Sequence, residues 1–476
     1  MRNSRKLLHG VRVLLPAVFL IFALAFPAFA EEAAEAPGGQ AESSEPAYPD
    51  ASIIQSNGTE GWPKLYDMAS DYFCVMDADT GVILAEKGMD TETPPASLTK
   101  ILTTMLALEN GDLDAEVTMT STGVSYAVGG SSNLYTQVGE KFVLRDMLYG
   151  VMLKSANDMA TQVGEFIGGG SLDRFLEMMN ARAAELGCRH SYFANSCGMP
   201  NEAHHSSAHD LALISREALK NPMFREIVHT KEYTIPATNM NEARIFQNHH
   251  KFLVTSEYAY DGIIGGKTGY TDLAGSCLAT YVERDGRTVI VIALHCLGMD
   301  NCLLDTRELC DYGLEEFENV SVTSDDGSAP TGLITLPKGH SLTECTTEET
   351  KETLQDGSVK TTVSYSFGGR PVGTLTGVTA PPAETEAAAA EEETDAPEDA
   401  QAEADAANAA GNEEKRSSAE VTRTSSGGLV KIFGILIAAL LLLILILFVV
   451  NVRLQRKRKR EAHLRQREQD RKGRRR

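Results

Sequence analysis

The sequence predicts an α+β fold: helices gathered between flanking strands of an antiparallel sheet, followed by a smaller all-β unit. Three observations predict it. Residues 72–77 and 82–85 are apolar runs flanking Asp79-Thr80-Gly81, a strand–turn–strand signal that precedes the helices. Residues 276–282 and 288–294 form a second apolar pair joined at Asp285-Gly286, after the helices. Beyond Val320 the texture changes to short alternating segments (333–336, 360–365, 372–375) separated by Gly, Pro and Asp-Gly.

At 476 residues the chain is too long for one compact domain, and 42% hydrophobic residues suffice for a sizeable core. The net charge of −22 hides two basic ends: residues 1–30 carry +4 and residues 453–476 carry +10, leaving −36 between them. A middle so acidic argues against nucleic acid as a partner.

Residues 1–30 read as a signal peptide: a basic start, an apolar run over 13–26, and Ala28-Phe29-Ala30, an A-x-A cleavage pattern. Residues 31–64, rich in Glu, Ala, Ser, Pro and Gly, read as a disordered spacer, with structure starting near Trp62. Residues 65–316 form the main domain. Pro94-Pro95 ends an extended segment, and Leu98, Ile101, Leu102, Met105 and Leu106 follow at helical spacing. Further helices are expected over 144–153, from Asn157 or Asp158 to the stop at Gly168-Gly169-Gly170, over 172–186, over 210–219 and over about 301–316. A strand carrying Lys267 precedes the second hairpin.

Residues 317–380 are the small β-rich domain. Residues 381–426, with thirteen acids against three bases, read as a solvated, self-repelling linker. Residues 427–452 read as a transmembrane helix. Their nineteen uncharged residues, 432–450, at about 1.5 Å rise span the roughly 30 Å hydrocarbon core. The basic tail, 453–476, sets the C-terminus in the cytoplasm and the folded domains outside it. The eight cysteines show no C-x-x-C spacing. Pairs such as Cys188–Cys197, or two among Cys296, Cys302 and Cys310, and buried free thiols are both compatible with export. His204, His205, His209, His249 and His250 lack metal-binding spacing, and no cofactor motif occurs.

The chemistry concentrates at Ser97-Leu98-Thr99-Lys100. The serine lies in the first turn of a buried helix, and the lysine follows on the same face, within reach of its hydroxyl. Serine attacks only when a base takes its proton, and a desolvated lysine amine serves as one. Taken alone, S-x-x-K is also an ordinary helix start. Two further motifs stand in order, Ser155-Ala156-Asn157 and Lys267-Thr268-Gly269, at separations of 58 and 112 residues.

With these motifs, and with Leu148-Tyr149-Gly150, Tyr270-Thr271 and Ala274-Gly275 around them, the chain resembles the low-molecular-mass penicillin-binding proteins, serine-type D-alanyl-D-alanine carboxypeptidases of the bacterial envelope. The resemblance covers about residues 65–316. It implies a β-lactamase-like fold and cleavage of the terminal D-Ala from peptidoglycan pentapeptide stems through an acyl-enzyme, with β-lactam antibiotics as acylating partners. Ser97 would be the nucleophile, Lys100 its base and Ser155 a proton relay to the departing amine. Asn157 would bind Lys100 and a substrate peptide group. Lys267 would supply positive charge, Thr268 would bond the terminal carboxylate, and Gly269 would leave room for substrate along the strand. The backbone N–H groups of Ser97 and Tyr270 would form the oxyanion hole. The rival readings are a β-lactamase on the same fold, which needs a water-activating glutamate not recognisable here, a transpeptidase in which an amine replaces water, and a non-catalytic envelope-binding protein.

Overall fold

The computed structural model describes residues 53–66, 68–324 and 329–379. The signal peptide, linker, transmembrane helix and basic tail expected from the sequence lie outside these residues. Among the described residues no helix is long and apolar enough to cross a membrane.

In chain order the main unit contains β1 (Ser70–Asp77), β2 (Ile83–Lys87), α1 (Lys100–Asn110), β3 (Glu116–Thr118), α2 (Ser121–Ser125), β4 (Lys141–Val143), α3 (Leu144–Leu153), α4 (Asn157–Ile167), α5 (Leu172–Glu185), α6 (Ala208–Ala218), α7 (Pro222–His229), β5 (Glu232–Ile235), β6 (Arg244–Gln247), α8 (Lys251–Val254), β7 (Ile263–Thr271), β8 (Gly275–Arg284), β9 (Arg287–Cys296) and α9 (Met299–Glu315). The central sheet has the order β2-β1-β9-β8-β7, with every pair antiparallel, so β7 is an edge strand. In β9 the side chains alternate between two cores: Ile290, Ile292 and Leu294 face the helices α1 and α3–α7, while Val289, Val291 and Ala293 face α9 and the C-terminal strands. Both faces are covered, so β8 and β9 are almost continuously apolar rather than alternating with polar residues.

The helix starts are chemically specified. Ser171 and Ser207 accept N–H bonds from Arg174 and Asp210 at the starts of α5 and α6. Asn221 caps α7, with Pro222 in its first turn. At α4 the structure differs from expectation, because neither Asn157 nor Asp158 caps it. Asp158 instead accepts from the N–H groups of Leu134 and Thr136 at 3.1–3.2 Å, pinning the 130–136 segment against α4.

The spacer expected over 31–64 ends earlier than its composition suggests. Residues 55–58 form a 3₁₀ turn, and Trp62 is buried against Phe317 and Phe367. Its indole N–H donates to the Leu84 carbonyl at 2.7 Å. The start of structure expected near Trp62 thus coincides with a buried aromatic anchor, a few residues after the first ordered turn.

The C-terminal part comprises β10 (Phe317–Val322), β11 (Gly332–Pro337), β12 (Thr346–Thr353), β13 (Val359–Phe367) and β14 (Arg370–Thr379), arranged as a β10–β11 ribbon and a β12-β13-β14 sheet. Arg370 reaches back to the buried Glu86 of β2 with two bonds of 2.6–2.7 Å and lies 5.0 Å over the Trp62 ring. All eight cysteines are unpaired thiols.

Candidate active site

The Pro94-Pro95 break is followed by a 3₁₀ turn, Ala96–Thr99, that leads into α1. Ser97 therefore sits on this turn, just ahead of the α-helix proper. Ala96 has φ +48°, a left-handed conformation that costs a non-glycine residue of order 1–3 kcal/mol. Two glycines let other backbone approach the turn. A Cβ at Gly198 would stand 1.8 Å from the Ala96 carbonyl oxygen. A Cβ at Gly269 would lie 2.9 Å from a Leu98 methyl and 3.2 Å from the Ser97 nitrogen. Gly269 thus makes room for the Ser97 turn, and it also lines the cleft.

Lys100 is fully buried beneath Ser97. Its Nζ lies 3.0 Å from Ser97 Oγ, 2.7 Å from Asn157 Oδ1 and 2.5 Å from the Cys197 carbonyl. Burial is the main cause pushing its pKa down to about 8, against smaller opposing contributions from Cys197 and Asp158. Three acceptors orient the amine, and burial raises its neutral fraction.

Ser155 closes the α3–α4 connection at φ +62°. It is 4% exposed, and its hydroxyl has no hydrogen-bond partner among the described residues. A buried hydroxyl left unpaired costs about 1–3 kcal/mol, and this one faces the cleft. Ser155 and Asn157 reach the same cleft because α4 begins directly behind them.

Opposite stands edge strand β7. Lys267 is 1% exposed, its Nζ donates to the Thr268 carbonyl at 2.8 Å, and burial, with Lys100 nearby, holds its pKa well below the ordinary lysine value. The positive charge assigned to Lys267 from sequence is thus held against desolvation. Tyr270 is 64% exposed, and its phenol donates to Asp272 at 3.0 Å. Between the two walls lies a cleft of about 250 Å³ lined by Ser97, Ser155, Asn157, Thr268, Gly269 and Tyr270. Lys100 and Lys267 lie buried behind it, so all three motifs converge on one groove.

The groove also uses residues that no motif marked. Residues 130–132, Met199, His249 and Met299 line it. His249 opens toward the cleft, while the protein packed about its ring, with Lys267 and Lys154, pushes its pKa down. Cys197 contributes only a main-chain oxygen, which its side-chain identity could not announce. The side-chain oxygen of Asn195 holds that loop by accepting from the N–H groups of Cys197, Gly198 and Met199 at 2.7–3.2 Å. His204 and His250 are buried in hydrogen bonds to Thr99 and Thr280. No group of three or more potential metal ligands occurs among the described residues.

With this geometry in hand, comparisons with known proteins fix the class. The D-alanyl-D-alanine carboxypeptidase family matches residues 59–297, half of the chain. The chain is similar to the D-alanyl-D-alanine carboxypeptidase DacF of Bacillus subtilis, 28% identical over 247 residues, covering 51% of this chain and 62% of the relative. It is also similar to the D-alanyl-D-alanine carboxypeptidase of Streptomyces sp. strain K15, 33% identical over 246 residues, covering 50% of this chain and 84% of the relative. The crystal structure of the Streptomyces K15 DD-transpeptidase aligns at 32% identity with a TM-score of 0.49, covering 53% of this chain and 99% of that one. The chain belongs to the D-alanyl-D-alanine carboxypeptidase family, a family of serine-type hydrolases. Residues 317–379 lie beyond the matched region.

Proposed function

We propose that this protein is a serine D-alanyl-D-alanine carboxypeptidase that trims the terminal D-Ala from peptidoglycan pentapeptide stems and is acylated by β-lactam antibiotics. The observation carrying this reading is the Lys100 amine 3.0 Å from the Ser97 hydroxyl in a groove bordered by an edge strand. Substrate lies along β7 as an added strand, with its terminal carboxylate at Thr268 and Lys267.

Neutral Lys100 takes the Ser97 proton while Oγ bonds to the carbonyl carbon of the penultimate D-Ala. The oxyanion forms against the backbone N–H groups of Ser97 and Tyr270, where one lost donor typically costs about 2.7–4 kcal/mol. The scissile C–N bond then breaks, and the departing amine receives a proton through Ser155, whose unpaired hydroxyl gains its partner at this step. Water attacks the resulting ester, returning the serine proton and releasing the tetrapeptide stem. A left-handed Ser155 and a left-handed Ala96 support this reading, since such conformations persist where the surroundings enforce them.

The test is fluorescent-penicillin labelling of the intact protein and of Ser97→Ala, with D-Ala release from a pentapeptide measured alongside. Labelling and release confined to the unaltered protein support the reading, and equal labelling of both proteins overturns it. Rapid turnover of nitrocefin would instead favour a β-lactamase. We propose further that the catalytic domain stands outside the cytoplasmic membrane on a span at 432–450. Loss of the folded domain when protease is added to intact cell-wall-stripped cells tests this topology.

A further inference from the structure

Behind the nucleophile turn runs a chain of hydrogen bonds with a fixed direction. The Ala194 N–H donates to His204 Nδ1 at 3.1 Å, so that nitrogen carries no proton. The other nitrogen, Nε2, lies 2.8 Å from Thr99 Oγ1. The Thr99 hydroxyl proton is already committed to the Ala96 carbonyl at 2.9 Å, so Nε2–H must be the donor to Thr99. The chain therefore ends on the carbonyl of a left-handed residue one position before Ser97. The same carbonyl is the atom that a side chain at residue 198 would strike.

We propose that His204 is a positioning residue for the nucleophile: through Thr99 it fixes the Ala96 carbonyl, and so holds the Ser97 hydroxyl over Lys100. This rests on Ser97 being the nucleophile. The imidazole edge packs on Phe193, with ring centroids 5.7 Å apart, and the side chain is 3% exposed. Burial, with His205 and Lys100 as the charged neighbours, lowers its pKa to about 4, which keeps the ring in the neutral form that the bond directions require. Nothing in the relay touches substrate, so its effect is on alignment, where small displacements cost about ten- to hundredfold in rate.

The full-length protein and the variants Ser97→Ala, His204→Leu, His204→Gln and Thr99→Val are labelled with fluorescent penicillin, and both the acylation rate and the end-point stoichiometry are read. His204→Leu and Thr99→Val should acylate about tenfold or more slowly yet reach the wild-type end point. His204→Gln, which restores an N–H donor, should recover most of the rate. A merely structural role would lower the end point with an unchanged rate for the labelled fraction, and that result, or wild-type rates in both variants, overturns the proposal. If His204→Leu does not fold, Thr99→Val decides alone. Labelling of Ser97→Ala like wild type would instead overturn the nucleophile assignment itself.

Discussion

The two walls of the cleft each bury a lysine but treat it differently. On the helix wall, Lys100 is gripped by a serine, an asparagine and a carbonyl at 2.5–3.0 Å, and burial lowers its pKa to about 8. On the strand wall, Lys267 donates to a single neighbouring carbonyl, Thr268 O, and burial holds its pKa well below the ordinary lysine value. The serines differ too: Ser97 Oγ is 3.0 Å from Lys100 Nζ, while the Ser155 hydroxyl has no partner among the described residues. On the proposed mechanism, the helix wall is the side prearranged for the first proton transfer. The strand wall and Ser155 are the side that meets groups of the substrate, as differential binding in the transition state requires.

This contrast can be broken or sharpened in order of expected effect. Removing the base, Lys100→Ala, should lower the acylation rate on the order of a thousandfold in stopped-flow labelling, and a loss below tenfold would place the base elsewhere. Next comes acid stability, because one neutral histidine stands behind each lysine, His204 near Lys100 and His250 near Lys267, both with pKa about 4 against an ordinary 6.5. The unfolded chain takes up these protons first. Stability is therefore full above pH 6.5 and falls between 6.5 and about 4, by on the order of 2–3 kcal/mol for each histidine, readable as a drop in denaturant midpoint. Neutral Lys100 should make the acylation rate climb roughly tenfold per pH unit up to about pH 8 and then level. A profile flat from pH 6 to 8 would contradict an amine base. Smaller still, Gly269→Ala should press on Leu98 and the Ser97 nitrogen and slow acylation about tenfold at unchanged end-point labelling. At the bottom of the scale, Lys351→Ala removes an exposed ion pair with Glu349 and should shift thermal stability by less than about 0.5 kcal/mol.

Much of this was legible in the letters. The apolar period after Pro94-Pro95, the Asp285-Gly286 turn and the order of three motifs point to the sheet, the helices and the groove, because each rests on local periodicity or turn chemistry. Elements without those signals were not legible. β12, Thr346–Thr353, is exposed at every position and so lacks alternation. The short ribbon β5–β6 is held through Glu140 to Arg244 and Asn241, partners about a hundred residues apart in sequence. The supports of the site escaped for the same reason. Cys197 acts through its backbone, Asn195 through a loop fold, and Asp158 looks like a cap until Leu134 and Thr136 claim it, whereas the Asn157 contact with Lys100 was legible from its motif. Ser155 and Ala96 take left-handed backbones that nothing in their side chains requests.

The junction of Trp62, Arg370 and Glu86 bears on how force would travel through the protein. The C-terminal strands are bolted to β2 by that junction, and to the β1–β2 turn by the 2.6 Å contact between the Thr80 and Thr335 hydroxyls. β2 is the margin of the sheet farthest from β7, with three strands between them. A tug on the distal strands therefore enters the sheet at β2 and, through the bond from Arg287 to the Phe317 carbonyl, at the start of β9.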